Sequence, residues 1–192
     1  MSYEINKKKI AHNTVSLYIR MGFTMLVSFF TTRIVLQVLG VEDYGLNNLV
    51  GSIVSLLSFI NGSMGTAVQR FYSIEIGKKN ETRLSRIFGT GLYIHIIVAL
   101  ITVIIAEIFA IFFLDQLNIP PNRLITAHWV FQISIVSLAL NIINVPYSAL
   151  LRAREEFSKM AIIDIIQAVL RLLILFPLFY ATFDKLIIYP LR

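Results

Sequence analysis

The sequence predicts an all-α fold: a polytopic integral membrane helix bundle that forms one membrane domain over residues 1–192. Three observations carry this prediction. Hydrophobic residues make up 57% of the chain and charged residues only 15%, and mean hydropathy is +0.76, far from soluble-domain averages. Five apolar stretches, at about 12–39, 46–76, 84–114, 124–151 and 158–180, each exceed the roughly 20 helical residues needed to cross a hydrocarbon core of about 30 Å. The breaks between them are short and rich in turn residues, and the runs are too long and too uniformly apolar for the strands of a membrane barrel.

The first stretch, His12 to Leu39, follows a basic N-terminus but is too long for a signal-peptide core and has no small-residue cleavage site after it, so it is read as a retained helix. Gly40 to Gly45, with Glu42 and Asp43, separates it from the second. Gly77 to Asn80 separates the second from the third, Asp115 to Asn122 with Pro120 and Pro121 the third from the fourth, and Arg152 to Glu156 the fourth from the fifth. Leu186 to Arg192 reads as the start of a sixth span that stops after seven residues, so the chain is expected to be a fragment or the product of a truncated gene, with a genuine five-span protein as the alternative.

Basic residues orient the bundle. With the N-terminus cytoplasmic, the inner segments hold Lys7, Lys8, Lys9, Lys78, Lys79, Arg83, Arg86, Arg152, Arg154 and Lys159, and the outer ones only Arg123 and Lys185. This asymmetry is the positive-inside pattern. It accounts for the net charge of +6 without nucleic acid as a partner.

The polar residues within the spans follow helical spacing. Asn13, Ser16, Arg20, Thr24, Ser28 and Thr31 share one face of the first helix. Asn48, Ser52, Ser55, Gly62, Thr66, Arg70 and Ser73 do so in the second, and Ser134, Ser137, Asn141, Asn144 and Ser148 in the fourth. Asp164, Gln167 and Arg171 follow in the fifth. Four of five helices thus carry a seam that can line one hydrated cavity. Small and hydroxyl residues at this spacing also serve as packing surfaces between membrane helices, and for the uncharged seams both readings stand.

Arg171 is the sharpest signal. It lies deep in its span, where a charge costs about 2.5–3.5 kcal/mol even on insertion scales and so faces a watery cavity or a partner. Asp164 could neutralise it from two turns away, or bind a proton or cation. Arg20, Arg33 and Arg70 lie nearer helix ends, where snorkelling to the headgroups competes with a cavity role, and Arg33 faces away from the Arg20 stripe. Glu107 and His95 read as interfacial or helix–helix contacts.

Enzyme chemistry finds no support. The chain has no H-E-x-x-H pair, G-x-S-x-G elbow, Walker loop or G-x-G-x-x-G turn. His12, His95 and His128 are dispersed over different spans, cysteine is absent, and neither a metal nor a cofactor is expected. The residues point instead to a membrane protein with a polar interior that handles a charged cargo, expected to be anionic.

Three segments resemble a known family: Thr32 to Leu46 (TRIVLQVLGVEDYGL), Gly65 to Tyr72 (GTAVQRFY) and Asn144 to Ala153 (NVPYSALLRA). They are similar to Wzx-type polysaccharide flippases, in the superfamily that also holds the MATE drug exporters and the lipid II flippase. The resemblance implies the first lobe of a two-lobed transporter around a cationic cavity, in the bacterial inner membrane. Its cargo would be a polyprenyl-diphosphate-linked oligosaccharide, flipped outward for O-antigen, capsule or exopolysaccharide synthesis. Its other partners would be membrane lipids, the second lobe and polysaccharide-assembly proteins. On this reading Arg171, then Arg20 and Arg70, contact the diphosphate, Asn141, Asn144 and Gln167 line the sugar path, and Asp164 serves ion coupling. Arg33 enters only through the matching motif. The competing readings are a non-transporting remnant or structural membrane subunit, a multidrug exporter of the same superfamily, and a membrane glycosyltransferase with its catalytic carboxylates elsewhere.

Overall fold

The computed structural model describes residues 7–113, 119–120 and 123–180. The suspected sixth span lies outside the described residues. Five α-helices and no strands occur among them: α1 (Lys7–Leu57), α2 (Phe59–Gly77), α3 (Glu81–Phe113), α4 (Leu124–Ala153) and α5 (Phe157–Tyr180).

Helix α1 contains 51 residues and is two helices joined at Gly40, whose φ of 78° and ψ of 174° are not helical. Only glycine adopts that conformation without a steric penalty, so the expected first turn contracts to a single residue. The expected second span, 46–76, is in two pieces that meet at Ser58, which unlike Gly40 keeps helical dihedrals (φ −77°, ψ −11°) and whose N–H bonds the Ser55 carbonyl at 3.1 Å. Its two parts are the end of α1 and all of α2.

By length and composition, three helical stretches among the described residues suit a membrane crossing: Ile10–Gly40, Glu81–Phe112 and Leu124–Ala153. Of the five expected crossings, three thus have helices long and apolar enough to span a membrane. The second stretch is interrupted at Ser58, and the side chains of α5 are described only as far as Leu173.

The loops that end α2 and α4 are built alike. Lys79 and Glu155 take positive φ, 56° and 55°. The following amides reach back five residues, Asn80 N–H to the Glu75 carbonyl at 3.1 Å and Glu156 N–H to the Leu151 carbonyl at 2.9 Å. This left-handed cap satisfies carbonyls that the helix end would strand and reverses the chain in a few residues. Both loops sit at one end of the bundle, joined by an Arg154–Glu81 ion pair at 3.1 Å. Asn13 donates to the Glu155 carbonyl at 3.1 Å and brings the N-terminal part of α1 to the same end. At the opposite end Arg123 pairs with Asp43 at 3.0 Å, holding the Gly40 bend against the start of α4.

Helix α4 is the hub, packed on α3 and α2, while α1 packs chiefly on α5. Its buried stripe runs through Phe131, Ile135, Leu138, Ile142, Pro146 and Ala149 at three- and four-residue steps. These residues join three apolar clusters: Val35, Val50, Ala106 and Phe131 near the Gly40 bend, Ala99, Leu138 and Ile142 in the middle, and Tyr72, Leu84 and Ala149 at the other end. Glycines allow the closest approaches. A Cβ on Gly65 would lie 3.2 Å from Val145 Cγ1, and one on Gly91 would lie 3.1 Å from Tyr72 Oη. Much of the remaining surface is apolar and exposed, Leu100, Ile101, Ile104, Ile105 and Ile108 on α3 for example. A water-soluble monomer would not leave so continuous an apolar face uncovered, whereas hydrocarbon chains cover it without cost.

Candidate functional site

The seam of α4 lies beside its buried stripe, so its side chains emerge at the rim of the core. Asn141, Asn144 and Ser148 from α4 face Asp164 and Gln167 from α5 across a cleft of about 460 Å³, with Tyr147, Leu151, Met160 and Ile163 in its walls. Pro146 stands inside α4 and cannot donate to the Ile142 carbonyl, so the helix ladder is broken beside the cleft. Tyr147 is steadied by an edge-on contact with Phe88, ring centres 5.1 Å apart. Asn141 also borders a smaller cleft of about 180 Å³, shared with Asn47, Ser55, Ser58, Ser134 and Ser137. The α4 seam therefore lines two clefts that meet at Asn141.

The first helix spends its seam differently. Arg20 Nη1 lies 2.8 Å from Asp164 Oδ2, a half-buried ion pair between α1 and α5. Below it the Ser16 and Ser158 hydroxyls lie 3.3 Å apart, and Ser158 Oγ is 3.0 Å from His12 Nδ1. Asn13, Ser16 and Arg20 thus bind α5 to α1 instead of lining open space, the packing alternative for this seam. Thr24 bonds the Arg20 carbonyl of its own helix at 2.8 Å. The expected Asp164–Arg171 contact is corrected: Asp164 takes Arg20 across the interface, because a partner on a packed neighbouring helix is nearer than one two turns along its own.

Arg171 is exposed, with no ion-pair partner among the described residues. The steps 164, 167, 171 place it on the side of α5 that carries the two cleft residues. Arg70 and Arg33 are also exposed and do not line the α4–α5 cleft. In the second seam, Ser52, Ser55 and Thr66 bond backbone carbonyls of their own helices. The four seams therefore do not converge on one cavity among the described residues: that of α1 is closed on α5, Ser55 of the second shares the smaller cleft with α4, and those of α4 and α5 share the larger one.

Glu107 accepts a hydrogen bond from Gln132 Nε2 at 3.0 Å between α3 and α4, and His95 is buried with Nδ1 2.7 Å from the Gly91 carbonyl. Glu107 thus joins two helices as expected, while the His95 bond lies within α3 itself. No group of His, Asp and Glu suited to a metal occurs among the described residues. Sequence reasoning missed Asn47, Tyr147 and Met160 as lining residues. Asn47 falls one position from the predicted seam, and the other two carry no polar pattern that spacing could detect.

Chemically, the α4–α5 cleft offers amide and hydroxyl donors and acceptors against an apolar wall. Its carboxylate is balanced by Arg20, and Arg171 is not among the residues that line it. A family model described as MatE matches residues 17–176, from the first part of α1 into α5. No curated protein and no solved structure matches the chain.

Proposed function

The chain belongs to the MatE family, and from this membership and the α4–α5 cleft we propose that it is the first lobe of a flippase for a polyprenyl-diphosphate-linked oligosaccharide. The family supports a membrane transporter. The finer reading rests on one observation: Arg171 is exposed within an apolar helix, without an ion-pair partner among the described residues, on the side that holds Asp164 and Gln167. A guanidinium so placed cannot face hydrocarbon cheaply, and a diphosphate offers it bidentate oxygens. The amides of Asn141, Asn144 and Gln167 suit sugar hydroxyls. The polyprenyl tail stays in lipid while the head crosses between lobes that rock about a midplane site. A cation exporter would favour a free carboxylate at the cleft, and Asp164 already has a cationic partner.

In this reading the helices cross five times, 46–76 and 158–180 included, with the N-terminus in the cytoplasm of a bacterial cell and the basic loops at the inner face. The second lobe and the polysaccharide-assembly machinery are the expected protein partners. The test is substitution of Arg171 by Ala and by Lys in the full-length protein, with surface polysaccharide measured at matched protein level. Loss of a charged hydrogen bond predicts a fall of about tenfold or more for Ala, with partial retention for Lys. Undiminished polysaccharide in both variants removes Arg171 from the mechanism.

A further inference from the structure

A second concave surface lies away from the cleft, between α2 and α3 at the end that carries the basic loops. It encloses about 880 Å³, and none of its lining residues belongs to the α4–α5 cleft. Its residues change character along the helices. At the mouth stand Asn80, Thr82, Arg83 and Arg86, then Thr90, and beyond them Phe71 and Ile94. On α3, Arg83, Arg86, Thr90 and Ile94 follow one another at three- and four-residue steps, so they form one stripe that is basic at its start and apolar at its far end. From Thr82 to Ile94 the helix rises about 18 Å, the length of a phospholipid headgroup, its glycerol and the upper part of its chains.

The charges at the mouth are not balanced. Glu75 is shared by Lys78 at 3.1 Å and Arg83 at 3.7 Å, and Glu81 is taken by Arg154 at 3.1 Å. Arg86 has no ion-pair partner among the described residues and is exposed. The apolar end of the groove is open to the surroundings of the bundle, since Phe71 and Ile94 are 58% and 45% exposed. A soluble anion would satisfy the arginines and leave those apolar side chains uncovered. A neutral lipid would cover the apolar part and leave the excess positive charge unmet. Basic pockets between membrane helices suit an anionic headgroup whose acyl chains continue along the helices.

We infer that the α2–α3 groove is a binding site for an anionic glycerophospholipid of the leaflet facing the basic loops, its phosphate held by Arg83 and Arg86 and its chains lying on Phe71 and Ile94. This site is independent of the cargo reading above.

The test uses the full chain, purified in neutral detergent and titrated with phosphatidylglycerol or phosphatidylcholine, with bound lipid counted by native mass spectrometry. Phosphatidylglycerol is expected to be retained preferentially. Arg83→Gln and Arg86→Gln should each weaken its retention by about fivefold, and Arg83→Lys with Arg86→Lys should keep most of it. Ile94→Trp, which crowds the apolar end without changing charge, should also lower retention. Size-exclusion profiles identical to the parent certify the fold of each variant. Equal retention of the two lipids overturns the inference. So does an equal loss with Lys159→Gln, which removes a positive charge outside the groove, or displacement of phosphatidylglycerol by equimolar inorganic phosphate.

Discussion

The α1–α5 interface and the α4–α5 cleft are built from the same kinds of residue at the same helical spacing, yet one is closed and the other open. On α1, Asn13, Ser16 and Arg20 each find a partner on α5 or in the loop before it. On α4, Asn144 and Ser148 face a space of about 460 Å³. What separates them is the complement across the gap. Where α5 or its preceding loop presents a carbonyl, a hydroxyl and a carboxylate to the opposing seam, the helices draw together. Where both sides present amides beside Ile163 and Met160, a ligand-sized gap persists. Polar spacing along one helix therefore marks a surface that needs a partner, and the neighbouring helix decides whether that partner is protein or ligand.

The comparison breaks most readily at the ion pair. Arg20→Ala leaves the Asp164 carboxylate without its counter-ion in an apolar setting, and a loss on the order of 1–2 kcal/mol is expected, below the figure for fully buried pairs because both side chains are partly exposed. The double variant with Asp164→Ala should recover part of this loss. A double-mutant cycle on thermal unfolding in detergent that shows no coupling would show that the closed interface does not depend on the pair.

Close packing on the other flank gives an effect of similar kind. Gly65→Leu must displace Val145 and the Arg152 guanidinium, which lie 3.2 and 3.4 Å from even the first added carbon, and a loss of about 1–3 kcal/mol is expected. Gly65→Ala should cost less. An unfolding midpoint for the Leu variant equal to that of the parent would mean that α2 and α4 are not held at this distance.

The cleft is expected to behave in the opposite sense. Asn144→Leu paired with Gln167→Leu should change stability by no more than about 0.5 kcal/mol, because both side chains are exposed and neither is bonded within the bundle. The same pair should depress transport if the cleft carries sugar. A thermal-shift assay beside a surface polysaccharide assay reads both quantities, and a destabilised protein would reclassify the cleft as a packing surface.

The smallest effect is expected at Ser16→Ala, about 0.6 kcal/mol, the average for polar contacts between membrane helices. No change on unfolding would leave Arg20–Asp164 as the main polar fastening of α1 to α5.

Much of the fold is legible in the chain, since apolar length and turn composition place the helices to within a few residues. The exceptions have local causes. Gly40 turns the chain through one residue, so α1 continues to Leu57 and the expected six-residue loop is largely helix. The break at Ser58 has no glycine or proline to announce it. Of the site, Asn141, Asn144, Asp164 and Gln167 come together as their spacing on α4 and α5 suggests. Arg20 reaches the cleft only through Asp164, and Arg70 lies elsewhere.

By itself the sequence determined that this protein is helical, apolar in long runs, and polar along chosen faces, because the helical period assigns every residue an angle about its own axis. Which faces meet was decided by the tertiary structure alone. Rotation and separation of neighbouring helices depend on side chains far apart in the chain, such as Gly65 against Val145 and Arg20 against Asp164, and no periodicity within one helix contains that information.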